Sequence, residues 1–360
     1  MQQPTILRPH AEVAYESELA VLAATDTRFR PEGWRLSPWA AVTYLMGGTL
    51  EDGTVISTKY FGDRRLIEVA VATLVTDRAL LLIGIPGTAK TWVSEHLAAA
   101  ISGQSTLLVQ GTAGLTEEAL RYGWNYARLL AEGPSEKAIT PSPIMKAMAE
   151  GKIARIEELT RMPADVQDAL ITLLSEKTLP VPELNTEVQA RRGFNVIATA
   201  NDRDKGVNEL SSALRRRFNT VVMPLPATLE EEVQIVSART QVLDPSLGPL
   251  ATRVASEEIY RLVTIFRELR SGKTEDGRSR LKSPSSTLST AEAISVINSG
   301  LALAAHFGDG NLRAADLASS LRGAIIKDQS QDESVWKEYL ENIVKQRKGW
   351  GDLYEACQGV

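Results

Sequence analysis

Between an apolar run at residues 79–83 and a helix-periodic stretch at 92–101 lies Gly84-Ile85-Pro86-Gly87-Thr88-Ala89-Lys90-Thr91. A short continuous apolar run reads as a strand buried on both faces, and a Gly- and Pro-containing turn that feeds straight into a helix sets strand, loop and helix in one order. Few folds accommodate that order. The strand must sit in a covered sheet, and the loop must lie where the helix N-terminus presents backbone N–H groups and partial positive charge. In such a loop successive N–H groups can wrap phosphates, Lys90 reaches the outer phosphates of a nucleotide, and Thr91 presents its hydroxyl to Mg²⁺. Gly84, Pro86, Gly87, Thr88, Ala89, Lys90, Thr91 and Trp92 are the candidate nucleotide contacts. The strict pattern has glycine just before the lysine; Ala89 permits close approach of the chain but lacks glycine's easy access to positive φ. No G-x-G-x-x-G occurs, which counts against dinucleotide binding.

Further apolar runs lie at 106–109, 152–156, 194–198 and 220–223, and helical patterns at 66–75, 92–101, 117–131, 163–174 and 210–217 surround them. Five strands alternating with helices predict an α/β fold with a five-stranded parallel sheet and right-handed crossovers. After Pro226 every periodic segment is helical: 229–238, 256–269, 290–306 and 314–328, with a long loop expected over 271–287. The tail from Ser334 carries Trp336, Tyr339, Trp350 and Tyr354 among charges and predicts a partly amphipathic helix, with packing on this second domain expected ahead of the alternative, a partner contact. Ahead of the sheet, a helical pattern at 12–24 and turn signals at Gly47-Gly48 and Asp52-Gly53 read as an extension. The expected division is an extension at 1–55, an α/β domain at 56–226, an all-helical domain at 227–332 and a helical tail at 333–360.

Composition narrows the function. The 360 residues carry a net charge of −5, three histidines and the single cysteine Cys357. One thiol permits no internal disulfide, and so few soft ligands argue against a zinc or thiolate centre. The negative balance argues against nucleic acid as a partner held by bulk charge. No apolar run approaches the ~20 residues needed to span a bilayer, and the first ten residues lack the layout of a signal peptide. A cytoplasmic protein without membrane insertion is expected.

A third strand ends in Ile153-Ala154-Arg155-Ile156-Glu157-Glu158. In open parallel sheets ligands sit at the C-terminal strand edge, and adjacent strand-end residues point in different directions. Glu157 is therefore the candidate support for hydrated Mg²⁺, and Glu158 the candidate base that orients or deprotonates the attacking water.

With these residues in order, the chain resembles the MoxR branch of the AAA+ ATPases, P-loop NTPases whose module joins an α/β sheet domain to an all-helical lid. The resemblance runs over about residues 55–330. The loop resembles that branch's Gly-x-Pro-Gly-x-Ala-Lys-Thr variant, and Glu157-Glu158 with the following helix resembles its Walker B segment, where the first acid is usually Asp. Ala198-Thr199-Ala200-Asn201 is similar to sensor 1, which implies that Asn201 positions water or contacts the γ-phosphate. The segment 210–218 resembles the one that ends in Arg-Phe, so an arginine reaching a neighbouring subunit's γ-phosphate is implied, Arg217 first and Arg216 second. Phe61-Gly62-Asp63 stands where the family's adenine-contacting element stands, and 112–124 and 179–192 stand where the branch has its helix 2 insertion and its hairpin before sensor 1. The lid departs from the family: Ser283-Pro284 leads into Ser285-Ser286-Thr287 without a sensor 2 arginine, and Arg280 or Lys282 could substitute.

What the resemblance implies is an ATP-hydrolysing, Mg²⁺-dependent homo-oligomer, a hexameric ring, that remodels or matures a client protein as a chaperone. A partner bearing a von Willebrand factor A domain is implied in the same way. Three alternatives remain open at the level of sequence: a chelatase-type motor subunit for metal insertion, a nucleic-acid motor, and an ATP-dependent assembly switch with little turnover.

Overall fold

A computed structural model describes residues 6–201, 208–240 and 256–359. The chain divides into two units, residues 1–85 with 89–224, and residues 86–88 with 225–360. The first unit carries a five-stranded sheet of β1 (Ala79–Gly84), β2 (Leu108–Gln110), β3 (Ile153–Glu157), β4 (Asn195–Asn201) and β5 (Phe218–Val222). Their order in space is β5-β1-β4-β3-β2, and every neighbouring pair is parallel. Each expected apolar run overlaps one of these strands.

Both faces of the sheet are covered, as the unbroken apolar runs require. Leu80, Leu82, Ile153, Ile197 and Val221 join one core with Val93, Leu97 and Ile101 of the helix Lys90–Ser102. Leu81, Ala154, Ile156, Val196 and Ala198 join the other. Since successive strand residues alternate faces, Arg155 and Glu157 share the face of Ile153 and are turned toward the helix Lys90–Ser102.

The N-terminal segment belongs to the same core. Leu19 and Leu22 of the helix Glu16–Thr25 and Ala41, Tyr44 and Leu45 of the helix Pro38–Met46 are buried in it. The helical pattern at 12–24 is in fact two helices, Ala11–Ala14 and Glu16–Thr25, broken at Tyr15. There the ring packs edge-on against Tyr44 and His96, so a tertiary contact overrides helix continuity.

The single helix expected over 117–131 does not form. A 3₁₀ turn at Glu117–Ala119 is followed by the strand Tyr122–Trp124, which pairs antiparallel with Ile139–Pro141, and then by the helix Tyr126–Glu132. Gly123 weakens the helix, and the Asn125 side chain caps a new one by accepting from the Arg128 N–H at 3.2 Å. The pattern at 210–217 contracts to Ser212–Arg215, capped by Ser211. Thr178–Val181 and Thr186–Gln189 form a hairpin that covers most of the span 179–192.

In the second unit the helices Leu229–Thr240, Ser256–Ser271, Thr290–Phe307, Ala314–Ile325, Gln329–Asn342 and Gly351–Gln358 share one core. Trp336, Tyr339 and Trp350 of the tail are buried in it. The pattern at 314–328 stops at Ile325 because the Asp328 carboxylate caps the next helix through the N–H groups of Ser330 and Gln331. The long loop expected over 271–287 contains a short antiparallel bridge between Lys273 and Arg280. None of the described helices is long and apolar enough to cross a membrane.

Candidate nucleotide site

The loop leaves β1 at Gly84 and enters the helix Lys90–Ser102 with Ala89 as its N-cap, at φ 62° and ψ 19°. The left-handed conformation associated with glycine is thus taken by alanine, at a cost of about 1–2 kcal/mol. Gly87 also has positive φ, 84°. Ala89 has no side chain with which to cap the helix, and the first N–H groups of any helix lack partners within it. The Lys90 ammonium is buried and donates to the Gly84 and Ile85 carbonyls at 2.7 and 2.8 Å, which holds it over the loop.

The Glu157 carboxylate, at the end of β3, is 2% exposed and accepts from donors on both oxygens. Oε1 accepts from Ser94 Oγ and from Arg155 Nη2 at 2.8 Å. Oε2 accepts from Thr91 Oγ1 at 2.8 Å and from Thr199 Oγ1 at 2.7 Å. Burial works to raise its pKa, but the Arg155 charge and the hydroxyls of Ser94, Thr199 and Thr91 outweigh that and hold it below the usual carboxylate value. Arg155, Ser94 and Thr199 are not among the residues expected from the sequence. Arg155 carries a visible signal all the same: a cation inside an otherwise apolar buried strand needs a partner, and two residues later is one strand period.

Glu158 follows in a left-handed conformation, φ 55°, with its backbone N–H donating to Thr199 Oγ1 at 3.0 Å. Its carboxylate pairs with Arg161 at 2.9 Å, one turn ahead. Opposite, the Gly111 N–H donates to the Glu157 carbonyl at 2.7 Å, and a Cβ at Gly111 would lie 2.3 Å from the Glu158 carbonyl oxygen. Only glycine fits there. Asn201 ends β4 in register with Gly84, at the same edge as the loop.

Lys90, Thr91 and Glu157 are thus joined by hydrogen bonds or lie one residue apart, with Glu158 and Asn201 at the same strand edge. The two expected arginines are elsewhere. Phe218 is paired with Ala79, so Arg216 and Arg217 precede the opposite end of the sheet, about 16 Å away at ~3.3 Å per strand residue. Arg217 donates to Ser175 Oγ at 2.9 Å and to the Ala213 carbonyl at 2.7 Å, whereas Arg216 is exposed. Phe61 and Gly62 precede the helix Arg64–Val75, which Asp63 caps. That segment is tied to the loop's helix just before Phe61, where Trp92 Nε1 donates to the Lys59 carbonyl at 2.9 Å. Lys59 itself is buried between the Tyr15 and Tyr44 rings and pairs with Glu18.

Comparison with known proteins matches this site and the helices beyond it. The profile of the AAA domain, dynein-related subfamily, covers residues 79–218, and that of the YehL-like AAA+ ATPase C-terminal domain covers residues 230–357. The uncharacterised protein YehL of Escherichia coli (strain K12) is 39% identical over 361 residues, 99% of this chain and 98% of its own length. The chain belongs to the YehL-like AAA+ ATPases. An uncharacterised protein of Staphylococcus haemolyticus (strain JCSC1435) is 29% identical over 46% of this chain, and the match spans 62% of that relative's length. A candidate ATPase from Cytophaga hutchinsonii, solved at 2.00 Å, is 16% identical with a TM-score of 0.40 over 86% of each chain. The family found along the whole chain and the AAA+ family read from its motifs agree.

The residues of this YehL-like chain fit a nucleotide with its magnesium. A helix N-terminus capped by no side chain and a buried lysine suit phosphates, and a threonine hydroxyl donating its proton to a carboxylate keeps its oxygen lone pairs for a cation. Bound there, Mg²⁺ would be held by Thr91 with Glu157 behind it and would neutralise charge developing on the phosphates.

Proposed function

We propose that the chain hydrolyses ATP at the C-terminal edge of its sheet, in a ring of like subunits, and uses the cycle to remodel a partner protein in the cytoplasm. The observation that carries this reading is the split of the site. Lys90, Thr91, Glu157, Glu158 and Asn201 gather at one strand edge, while Arg216 and Arg217 lie about one strand length away, too far to serve the same nucleotide. An arginine there is suited to a neighbour's γ-phosphate, being permanently charged and forked. Arg216, exposed, is as well placed for that as Arg217. In this reading residues 56–226 bind the nucleotide, 227–332 act as lid, and the client and any von Willebrand factor A domain partner follow from the resemblance to MoxR relatives.

One observation favours the switch alternative. Glu158, the base in this reading, pairs with Arg161, an exposed pair worth at most about 1 kcal/mol that must open before the carboxylate can take a proton from water. The test is phosphate release per subunit against subunit concentration, with Mg²⁺. A rate that climbs with concentration supports a site completed between subunits. ATP binding without turnover at any concentration favours the switch, and a rate independent of concentration removes the shared site.

A further inference from the structure

The carboxylate behind Thr91 does not stand alone. Arg155 is 4% exposed and donates to Glu157 Oε1 at 2.8 Å, Ser94 Oγ at 3.1 Å, the Ser105 carbonyl at 3.0 Å and the Thr91 carbonyl at 3.3 Å. These partners sit on three elements: β3 itself, the helix Lys90–Ser102 and the segment before β2. The planar guanidinium is therefore locked, and it cannot shed its charge. Both side chains of the pair are almost wholly out of water, 5% and 3% exposed, where charges act more strongly than at a surface. Beside Thr91 the acid and the base sum to zero.

The same geometry saturates the carboxylate. Arg155 and Ser94 occupy Oε1, and Thr91 and Thr199 occupy Oε2, which uses about the four lone-pair sites a carboxylate has. Glu157 can accept from a further donor only by releasing one of these. The side chain is long enough to reach Arg155 and Thr91 at once, so the glutamate and the buried arginine form one unit.

We propose that Arg155 is a positioning residue of the nucleotide site that cancels the charge of Glu157 and thereby sets how much Mg²⁺ is needed before nucleotide binds tightly. The proposal rests on the reading of this site as one for ATP with Mg²⁺. It makes the need for metal track the summed charge of the pair. In the full chain, the quantity to measure is the Mg²⁺ concentration at half-maximal binding of a fluorescent ATP analogue, with thermal unfolding recorded beside it.

Arg155→Met leaves the pair at −1 and should lower the half-saturating Mg²⁺ about tenfold, even while it lowers the melting temperature. Glu157→Gln leaves +1 and should raise it by a similar factor. Arg155→Lys keeps the sum at zero and should stay within about threefold of the unaltered chain, and the double variant Arg155→Met with Glu157→Gln, neutral but without the carboxylate behind Thr91, should fall between Glu157→Gln and the unaltered chain. Should Arg155→Met fail to fold, Glu157→Gln against the double variant decides: removing the stranded cation should recover at least about threefold of the lost metal affinity. Shifts of Arg155→Met and Glu157→Gln in the same direction overturn the proposal, as does equality of Glu157→Gln and the double variant. Failure of the unaltered chain to bind the analogue, or binding that Lys90→Ala leaves intact, overturns the reading of the site itself.

Discussion

Two buried glutamates, one in each unit, are held by arginine and hydroxyl groups in nearly the same way. Glu157 has Arg155, Ser94, Thr91 and Thr199; Glu232, 0% exposed, has Arg270, Arg267 and Thr290. For Glu232 too, burial works to raise the pKa, and the Arg270, Thr290 and Arg267 bonds bring it below the ordinary value. The difference lies in what surrounds them. Glu232 ties the helix Leu229–Thr240 to Ser256–Ser271 and Thr290–Phe307, all partners being helix side chains that pack. Glu157 is tied to the residue after Lys90 and to the strand that ends in Asn201. Around it the backbone carries positive φ at Ala89 and Glu158, and all four non-glycine residues of that kind among the described residues lie in the first unit. An acid–arginine pair by itself therefore does not mark a site; strained backbone and a loop opening a helix beside it do.

The sharpest way to break this contrast is Glu158→Gln. The amide keeps the shape but cannot act as a base, so phosphate release should fall about 10²- to 10⁴-fold while ATP binding and melting temperature hold. If melting drops instead, Glu158 belongs with the structural acids. Next in size is Glu232→Ala, which strands two arginines and should destabilise the helical unit by about 3–5 kcal/mol, read by denaturant unfolding. A normal unfolding midpoint would show that the pair is not structural. Lys90→Ala should weaken ATP binding by about 1.5–3 kcal/mol, the worth of a charged hydrogen bond, with little change in unfolding.

The smallest effect concerns Glu258, whose pKa is raised by burial, which outweighs the attraction of Arg261, with Asp352 and Glu257 adding to the rise. A raised carboxyl keeps in the folded state a proton that the unfolded chain has already released. Stability from this group is therefore present below the unfolded value and is lost as pH climbs through the folded one. Glu258→Gln should raise the melting temperature slightly near neutral pH, and the gain should vanish toward about pH 4. A gain that persists in acid would point to packing rather than charge.

Strands and helices with their own periodicity are legible along the chain, and so is the loop, because strand, turn and helix signals are local. The segment 117–131 defeats such a reading: its apolar residues keep helical spacing, yet Gly123 and the capping Asn125 break the helix, and the strand there exists only by pairing with Ile139–Pro141. The tail's aromatics read as a packing face, and Trp336, Tyr339 and Trp350 are buried as one. Glu157 and Glu158 can be named from the sequence because they stand at the end of an apolar strand run, whereas Asn201 is named by the resemblance of 198–201 to sensor 1. Thr199 lies inside such a run and Ser94 inside a helix, so nothing local sets either apart from its neighbours.

What the sequence by itself determined is the order of the sheet's strands along the chain, the Gly- and Pro-containing loop between β1 and its helix, and the helical character of the periodic segments past Pro226. Periodicity, turn residues and caps act over a few residues, so they survive without the fold. Only the tertiary structure decided that Arg155 belongs to Glu157, that Gly111 must be glycine, that residues 11–46 help to fill the core on one face of the sheet, and that Arg216 and Arg217 stand away from the loop's edge. Each of those depends on partners brought together by strand order and register, and no local pattern carries that information.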